Sequence, residues 1–179
     1  MLFQIRSQTN TDQQQENDPV AMLVACHERI RTHLQIAARL LNSGSPLPAE
    51  ISEAASRLSR YFGRALPLHI QDEDELLVPA LSGVRLSPDE TRTLLTMQEE
   101  HRLIEPVVEQ ALSYWQELAS DPHTLSQSRE ALSLLTLRLS SLLPPHLLAE
   151  EQSLFPLLRA YLSKDAQVEL ALAMRARRS

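Results

Sequence analysis

Cysteine is nearly missing from this chain: Cys26 stands alone among 179 residues. A single thiol excludes an internal disulfide framework and any CxxC redox or zinc pair. Glycine is almost as scarce, and three glycines leave no material for a Gly-rich phosphate loop or a Rossmann fingerprint. Basic charge is in deficit, with 17 Lys+Arg against 23 Asp+Glu and a formal net charge of −6. That balance argues against nucleic acid or an anionic membrane as the main partner, since both attract basic surfaces. No stretch approaches the roughly 20 unbroken apolar residues of a membrane span. The opening MLFQIRSQTNTDQQQEND lacks an apolar segment behind a basic start. No signal peptide is read there, and a soluble cytoplasmic protein is the expectation.

Apolar residues are plentiful, 43% of the total, over a length that suits one domain with a real core. Residues 1–17 are Gln/Asn-rich and aperiodic and read as a mobile tail. Asp18-Pro19 reads as a helix cap followed by proline in the first turn. Val20, Leu23, His27, Ile30, Leu34, Ala37 and Leu41 then step by 3 and 4, one stripe along a helix that ends at residues 42–46. A second helix is expected from Pro48 to Leu81, with Leu58, Phe62, Leu66, His69, Glu73 and Leu76 facing inward and a kink near Pro67. Ser87-Pro-Asp-Glu90 is a capping box opening a third helix. Its stripe is Leu94, Met97, His101, Ile104, Val108, Ala111, Trp115 and Leu118. The fourth carries Leu132, Leu135, Leu139, Leu142, His146 and Glu150, with a break or kink expected at Pro144-Pro145. Ser163 caps a short fifth helix. The expected fold is all-α: an antiparallel up-down four-helix bundle over residues 18–162, followed by a C-terminal helix in 163–179.

The two halves repeat. LPLHIQDEDELLVPAL (66–81) aligns with LPPHLLAEEQSLFPLL (143–158) at a constant shift of 77 residues, and His27 and His101 are offset by 74. Each half is one helix with a lone His followed by one with His-x-x-x-Glu. Four of the six histidines fall on the four apolar stripes. A lone core histidine is ordinarily satisfied by a neighbour. Four imidazoles plus Glu73 and Glu150 in one core would cost about 1–3 kcal/mol for each unpartnered group unless a cation bound them.

In a helix, residues i and i+4 lie on one face, so His69/Glu73 and His146/Glu150 each present a nitrogen and an oxygen to a common point. The six groups also fall at matching depths in an up-down bundle. Two imidazoles per metal, two bridging carboxylates and a bridging oxide or hydroxide make five ligands per metal, leaving a position open for a small molecule. Imidazole with carboxylate suits iron, and also zinc or manganese; without thiolate, a closed structural zinc site is disfavoured. No catalytic side-chain constellation is read.

His27, His69 with Glu73, His101, and His146 with Glu150, together with Pro79 and Pro156 ten residues after the paired histidines, resemble the hemerythrin-like (HHE cation-binding) family of non-haem di-iron four-helix bundles. The resemblance covers residues 18–160 and implies those six residues as metal ligands. Oxygen-carrying hemerythrins have a further His one turn after the helix-3 His, where this chain has Glu105. Their helix-4 carboxylate is an Asp five residues after the His; here Glu150 comes at four and Glu151 at five. Glu105 is therefore read as an extra ligand, a gate or a solvent-facing residue.

The implied activity is binding of dioxygen or a related diatomic such as nitric oxide, for sensing, storage or iron handling, by a monomer or homodimer. Consumption of peroxide or nitric oxide by the same ligands is the enzymatic alternative; a metal-dependent regulatory interaction module is the other. Ferritin-like bundles need Glu-x-x-His, and no Glu lies three residues before any His here. A zinc-protease HExxH fails because His27-Glu28 is followed by Arg31. Cys26 reads as a small buried side chain rotated away from His27. His33 and His123 are left outside the site. Asp72, Asp74, Glu100 and Glu28 are candidate acceptors for the second nitrogen of a ligating imidazole.

Overall fold

The computed structural model describes residues 17–178, and the expected mobile tail, but for Asn17, lies outside them. Among the described residues there is no strand, only five long helical stretches joined by short links. α1 is Pro19–Asn42, α2 covers residues 48–82, α3 is Pro88–Ser120, α4 is Pro122–Tyr161 and α5 is Lys164–Ala176. α1 packs on α2, α2 on α3, α3 on α4 and α4 back on α1, which closes an antiparallel four-helix ring. α5 lies outside the ring, against α1 and the stretch of α2 that carries Glu73.

The helix starts follow from local chemistry. The Asp18 carboxylate accepts from the Val20 N–H at 3.0 Å, and Ser163 Oγ accepts from the Ala166 N–H at 3.2 Å. Ser87 and Glu90 satisfy each other's free N–H groups as a capping box.

Proline shapes α2 and α4 by widening them. Three π turns occur, at Tyr61–Ala65, Glu73–Leu77 and Glu150–Leu154. Each is followed two residues later by a proline: Pro67, Pro79 or Pro156. A proline has no N–H to give the carbonyl four residues back, and its ring crowds that carbonyl. Winding to i−5 takes up the mismatch: Leu66, Val78 and Phe155 donate to Tyr61 O, Glu73 O and Glu150 O. Near Pro67, where a kink is expected, the observed irregularity is a π turn at Tyr61–Ala65. At Pro144-Pro145 the expected break does not occur, and the helix runs unbroken from Leu125 to Ala149. Its flanking residues Leu143, His146 and Leu147 are buried, so packing offsets the lost hydrogen bonds.

The wide turns change which residues face inward. His69, Glu73, Leu77 and Leu81 are spaced by four and all are buried, as are His146, Glu150, Leu154 and Leu158. In a regular helix that spacing drifts about 40° per step, or about 120° over the series. The π turn absorbs the drift. Leu76, expected on the inner face, is only half-buried, and Leu77 takes its place.

The apolar core is split in two. Ile30, Leu66, Ile104, Trp115, Leu139 and Leu147 belong to the larger part. Leu23, Leu77, Met97, Leu154 and Phe155 belong to the smaller, with Leu170 and Met174 of α5. Along each ring helix, the polar residues lie between a member of one cluster and a member of the other. By length and composition α4 is apolar enough to cross a membrane, but core helices pass the same test, and α4 packs within the ring.

Candidate metal centre

The polar layer between the two apolar clusters comprises His27 of α1, His69 and Glu73 of α2, His101 of α3, and His146 and Glu150 of α4, all buried. Two overlapping sets form: His27, His69, Glu73 and Glu150, and Glu73, His101, His146 and Glu150. Within each set one ligand atom per residue lies within 4.8 Å of the others. Donors about 2.0–2.2 Å from a common metal fall within such a span.

The two carboxylates belong to both sets, and their oxygens divide between them. Glu73 Oε1 lies 3.5 Å from His69 Nε2, and Oε2 lies 3.3 Å from His101 Nε2. Glu150 Oε2 lies 3.1 Å from His27 Nε2, and Oε1 lies 3.0 Å from His146 Nε2. The rings pair edge to face, His27 with His69 at 5.1 Å and His101 with His146 at 4.8 Å. Each carboxylate therefore extends one oxygen toward each imidazole pair.

The outer nitrogens fix the direction of three rings. His27 Nδ1 is 2.7 Å from Glu151, His101 Nδ1 is 3.1 Å from Asp74, and His146 Nδ1 is 2.7 Å from Glu100. An ionised carboxylate only accepts, so Nδ1 carries a hydrogen and Nε2 is the nitrogen turned inward, toward the layer. Of the expected acceptors, Asp74 and Glu100 serve; Glu28 pairs with Arg31 and Asp72 with Arg178. The role of Glu151 in orienting His27 was missed in the sequence. Its signal was the second carboxylate after Glu150, with Arg31 one turn beyond His27 to hold it at 2.8 Å.

The layer is poorly satisfied without a cation. Eight buried polar atoms of His27, His69, Glu73, His101 and Glu150 make no hydrogen bond, despite the short distances. At about 1–3 kcal/mol for each unsatisfied group, this is a large cost that ligation would remove. The donor chemistry and these orphaned atoms fit a metal, and Cys26 lies in neither set.

Electrostatics show the same tension. Burial pulls His69 down to about 3. Burial, with the neighbouring Glu150 charge, pushes Glu73 up to about 7. For His101 burial works downward, but Asp74, Glu150 and Glu73 overcome it and lift the imidazole to about 12. Burial likewise opposes ionisation of Glu150, yet His101, His146 and His27 hold it well below the usual carboxylate range.

The remaining candidates lie elsewhere. Glu105 is exposed and borders a cleft of about 270 Å³ between α2 and α3, so it joins neither set. The inward stripe runs through Met97, His101, Ile104 and Val108; at about 100° per residue, Glu105 points some 70° from its centre. His33 is buried, stacks on Tyr61 at 3.7 Å and donates Nδ1–H to the Arg29 carbonyl. His123 is exposed in a 3-10 turn. Cys26 is buried, and its sulfur accepts from Arg29 at 3.0 Å.

A helical bundle with an inward layer of imidazoles and carboxylates defines a metal-binding four-helix protein. The chain belongs to the hemerythrin HHE cation binding domain family, which it matches over residues 18–158. It is similar to a protein of Haemophilus influenzae named only as uncharacterized, with 28% identity over 165 residues, 90% of this chain and 91% of that one. No solved structure is significantly similar to this chain.

Proposed function

We propose that the six-residue layer holds two iron ions bridged by Glu73 and Glu150, and that the protein binds dioxygen or a related diatomic there. The observation that carries this reading is the sharing of both carboxylates, one oxygen toward each imidazole pair. His27 and His69 would hold one ion, His101 and His146 the other. A bound iron pair supplies reversible redox chemistry and an open coordination position for a small molecule. The chain's own part is to aim and enclose. Glu151, Asp74 and Glu100 fix three imidazoles through Nδ1. Leu23, Ile30, Leu77, Ile104 and Leu154, above and below the layer, exclude water. The donors number six and pair by the repeat, which favours two ions over one. Zinc or manganese would find the same donors.

The test is anaerobic iron loading followed by elemental analysis and oxygen-electrode measurement. Two irons per chain and reversible dioxygen uptake, both lost in Glu150→Ala, are expected. One iron per chain would overturn the dinuclear reading. Two irons with catalytic loss of added peroxide and no reversible uptake would replace the binder by an enzyme.

A further inference from the structure

A second feature lies where α1, α2 and the end of α5 meet: a pocket of about 310 Å³ lined by Arg29, Arg60, Arg64, Arg178, Cys26 and Tyr61. No carboxylate lines it, in a chain whose net charge is −6. Arg60 and Arg64 stand one helical turn apart on α2, both exposed, and among the described residues neither has an ion-pair partner. Arg29 gives one N–H to the Cys26 sulfur, and Arg178 reaches Asp72. The positive field extends to His33, which burial and then the Arg57 and Arg29 charges hold below its ordinary value.

Arg178 is balanced by Asp72, but Arg29, Arg60 and Arg64, gathered from two helices, line the pocket with no carboxylate among them and repel one another. An anion filling the pocket would relieve that repulsion. Guanidinium forks match phosphate oxygens in pairs, which a carboxylate-poor pocket leaves free to act. The volume exceeds a bare phosphate and leaves room for an organic body. Leu68 and Ala65 join the Tyr61 ring as an apolar wall for it. We propose that this pocket binds a small phosphate monoester, its phosphate held by Arg60, Arg64 and Arg29 and its body laid against Tyr61 and Leu68. The site borders the metal layer, since Cys26 precedes His27 and Asp72, the partner of Arg178, precedes Glu73.

Phenyl phosphate is a suitable probe, titrated calorimetrically into the metal-loaded full chain, with iron content checked afterwards. A dissociation constant of roughly 0.1–1 mM is expected, weakening about tenfold in the double variant Arg60→Gln/Arg64→Gln. Both residues are exposed and unpaired, so the variant keeps its thermal midpoint. Cys26 is the only thiol, and phenyl phosphate should slow its alkylation while neutral phenol does not. Arg92→Gln, near the start of α3 and outside the pocket lining, should bind normally. Unchanged binding in the double variant, equal protection by phenol, or iron loss in place of binding would overturn the proposal. So would binding only to vesicles containing phosphatidylglycerol, which would assign the arginines to a membrane surface.

Discussion

An imidazole ligates through one nitrogen and is aimed by the other. Here three of the four inward histidines have a carboxylate behind them, and His69 has none, both its nitrogens being buried and unpartnered. His69→Ala should therefore abolish one of the two metal positions and lower the thermal midpoint of the loaded protein, since ligation adds folding free energy. His123→Ala, at an exposed turn, should be silent in both. Equal metal loss in the two variants, by elemental analysis, would refute the site. Glu151→Gln keeps the shape but weakens the acceptor on His27 Nδ1 and removes one of the two ion pairs of Arg31, leaving that with Glu28. Metal affinity in competition with a chelator should fall roughly 10–100-fold, and no change would mean the contact does not orient the ring. Glu105→Ala should leave metal content and oxygen reaction rates as in the wild type. Its carboxylate points to solvent, so a changed rate would require it to reach the layer after all.

Helices α2 and α4 owe their inner faces to where they stop being regular. Each π turn of the repeat begins at the glutamate of its His-x-x-x-Glu pair, and each is followed by a proline. The widened turn keeps residues at four-residue intervals on one side, so that Glu73 and Glu150 face the layer and Leu77 and Leu154 still reach the core below it. α5 braces one of these turns. Asp72, next to Glu73, is fully buried, and its partners are Arg178 and, at 3.9 Å, Arg177. Burial raises the Asp72 carboxyl despite these arginines. Arg178→Ala leaves a buried carboxylate less well compensated and should destabilise the chain by about 1–3 kcal/mol. A carboxyl raised in the folded state contributes stability that is lost as pH rises, and the variant raises it further. The deficit measured by urea titration should thus grow from about pH 5 to about pH 8. A pH-independent deficit would mean that Arg178 acts through packing alone.

For the molecule as a whole, the polar layer makes stability depend on metal and pH together. In the metal-free chain, Glu73 is raised to about 7, so its contribution is full below the usual 4.5 and is lost as pH rises through 7. His101, raised to about 12, contributes with the same sign up to that pH. His69, lowered to about 3, acts oppositely: its contribution is present above 6.5 and is lost as pH falls toward 3. A metal must displace the protons on His101 and Glu73, so loading releases protons and tightens with pH. The gain in thermal midpoint on adding iron anaerobically should be clearly larger at about pH 8 than at about pH 5.5. A gain that shrinks over that range would show that these groups do not surrender protons to the metal.

Helix number, helix starts and the six inward residues were legible in the sequence because they depend on local periodicity and spacing. The 3-4 stripe of α3, from Leu94 to Leu118, is buried throughout, and the caps at Asp18, Ser87 and Ser163 act as their side chains dictate. Proline was legible only as a disturbance. Whether it breaks, kinks or widens a helix depends on the packing around it, so Pro144-Pro145 passes through regular helix while Pro67, Pro79 and Pro156 follow π turns. The extra residue in the wide turn at Glu73–Leu77 exchanges Leu76 for Leu77 on the inner face, which a fixed period of 3.6 has no means of registering. The acceptors behind the histidines were undecidable for a related reason. His27 is 124 residues from Glu151, and His146 is 46 from Glu100; partners on different helices are chosen by the rotation and depth at which the helices pack. Side-chain chemistry and spacing determine which groups are available to bind a metal. Only packing in three dimensions decides which oxygen faces which nitrogen, because that choice turns on ångström-level distances between helices that the linear order of residues does not encode.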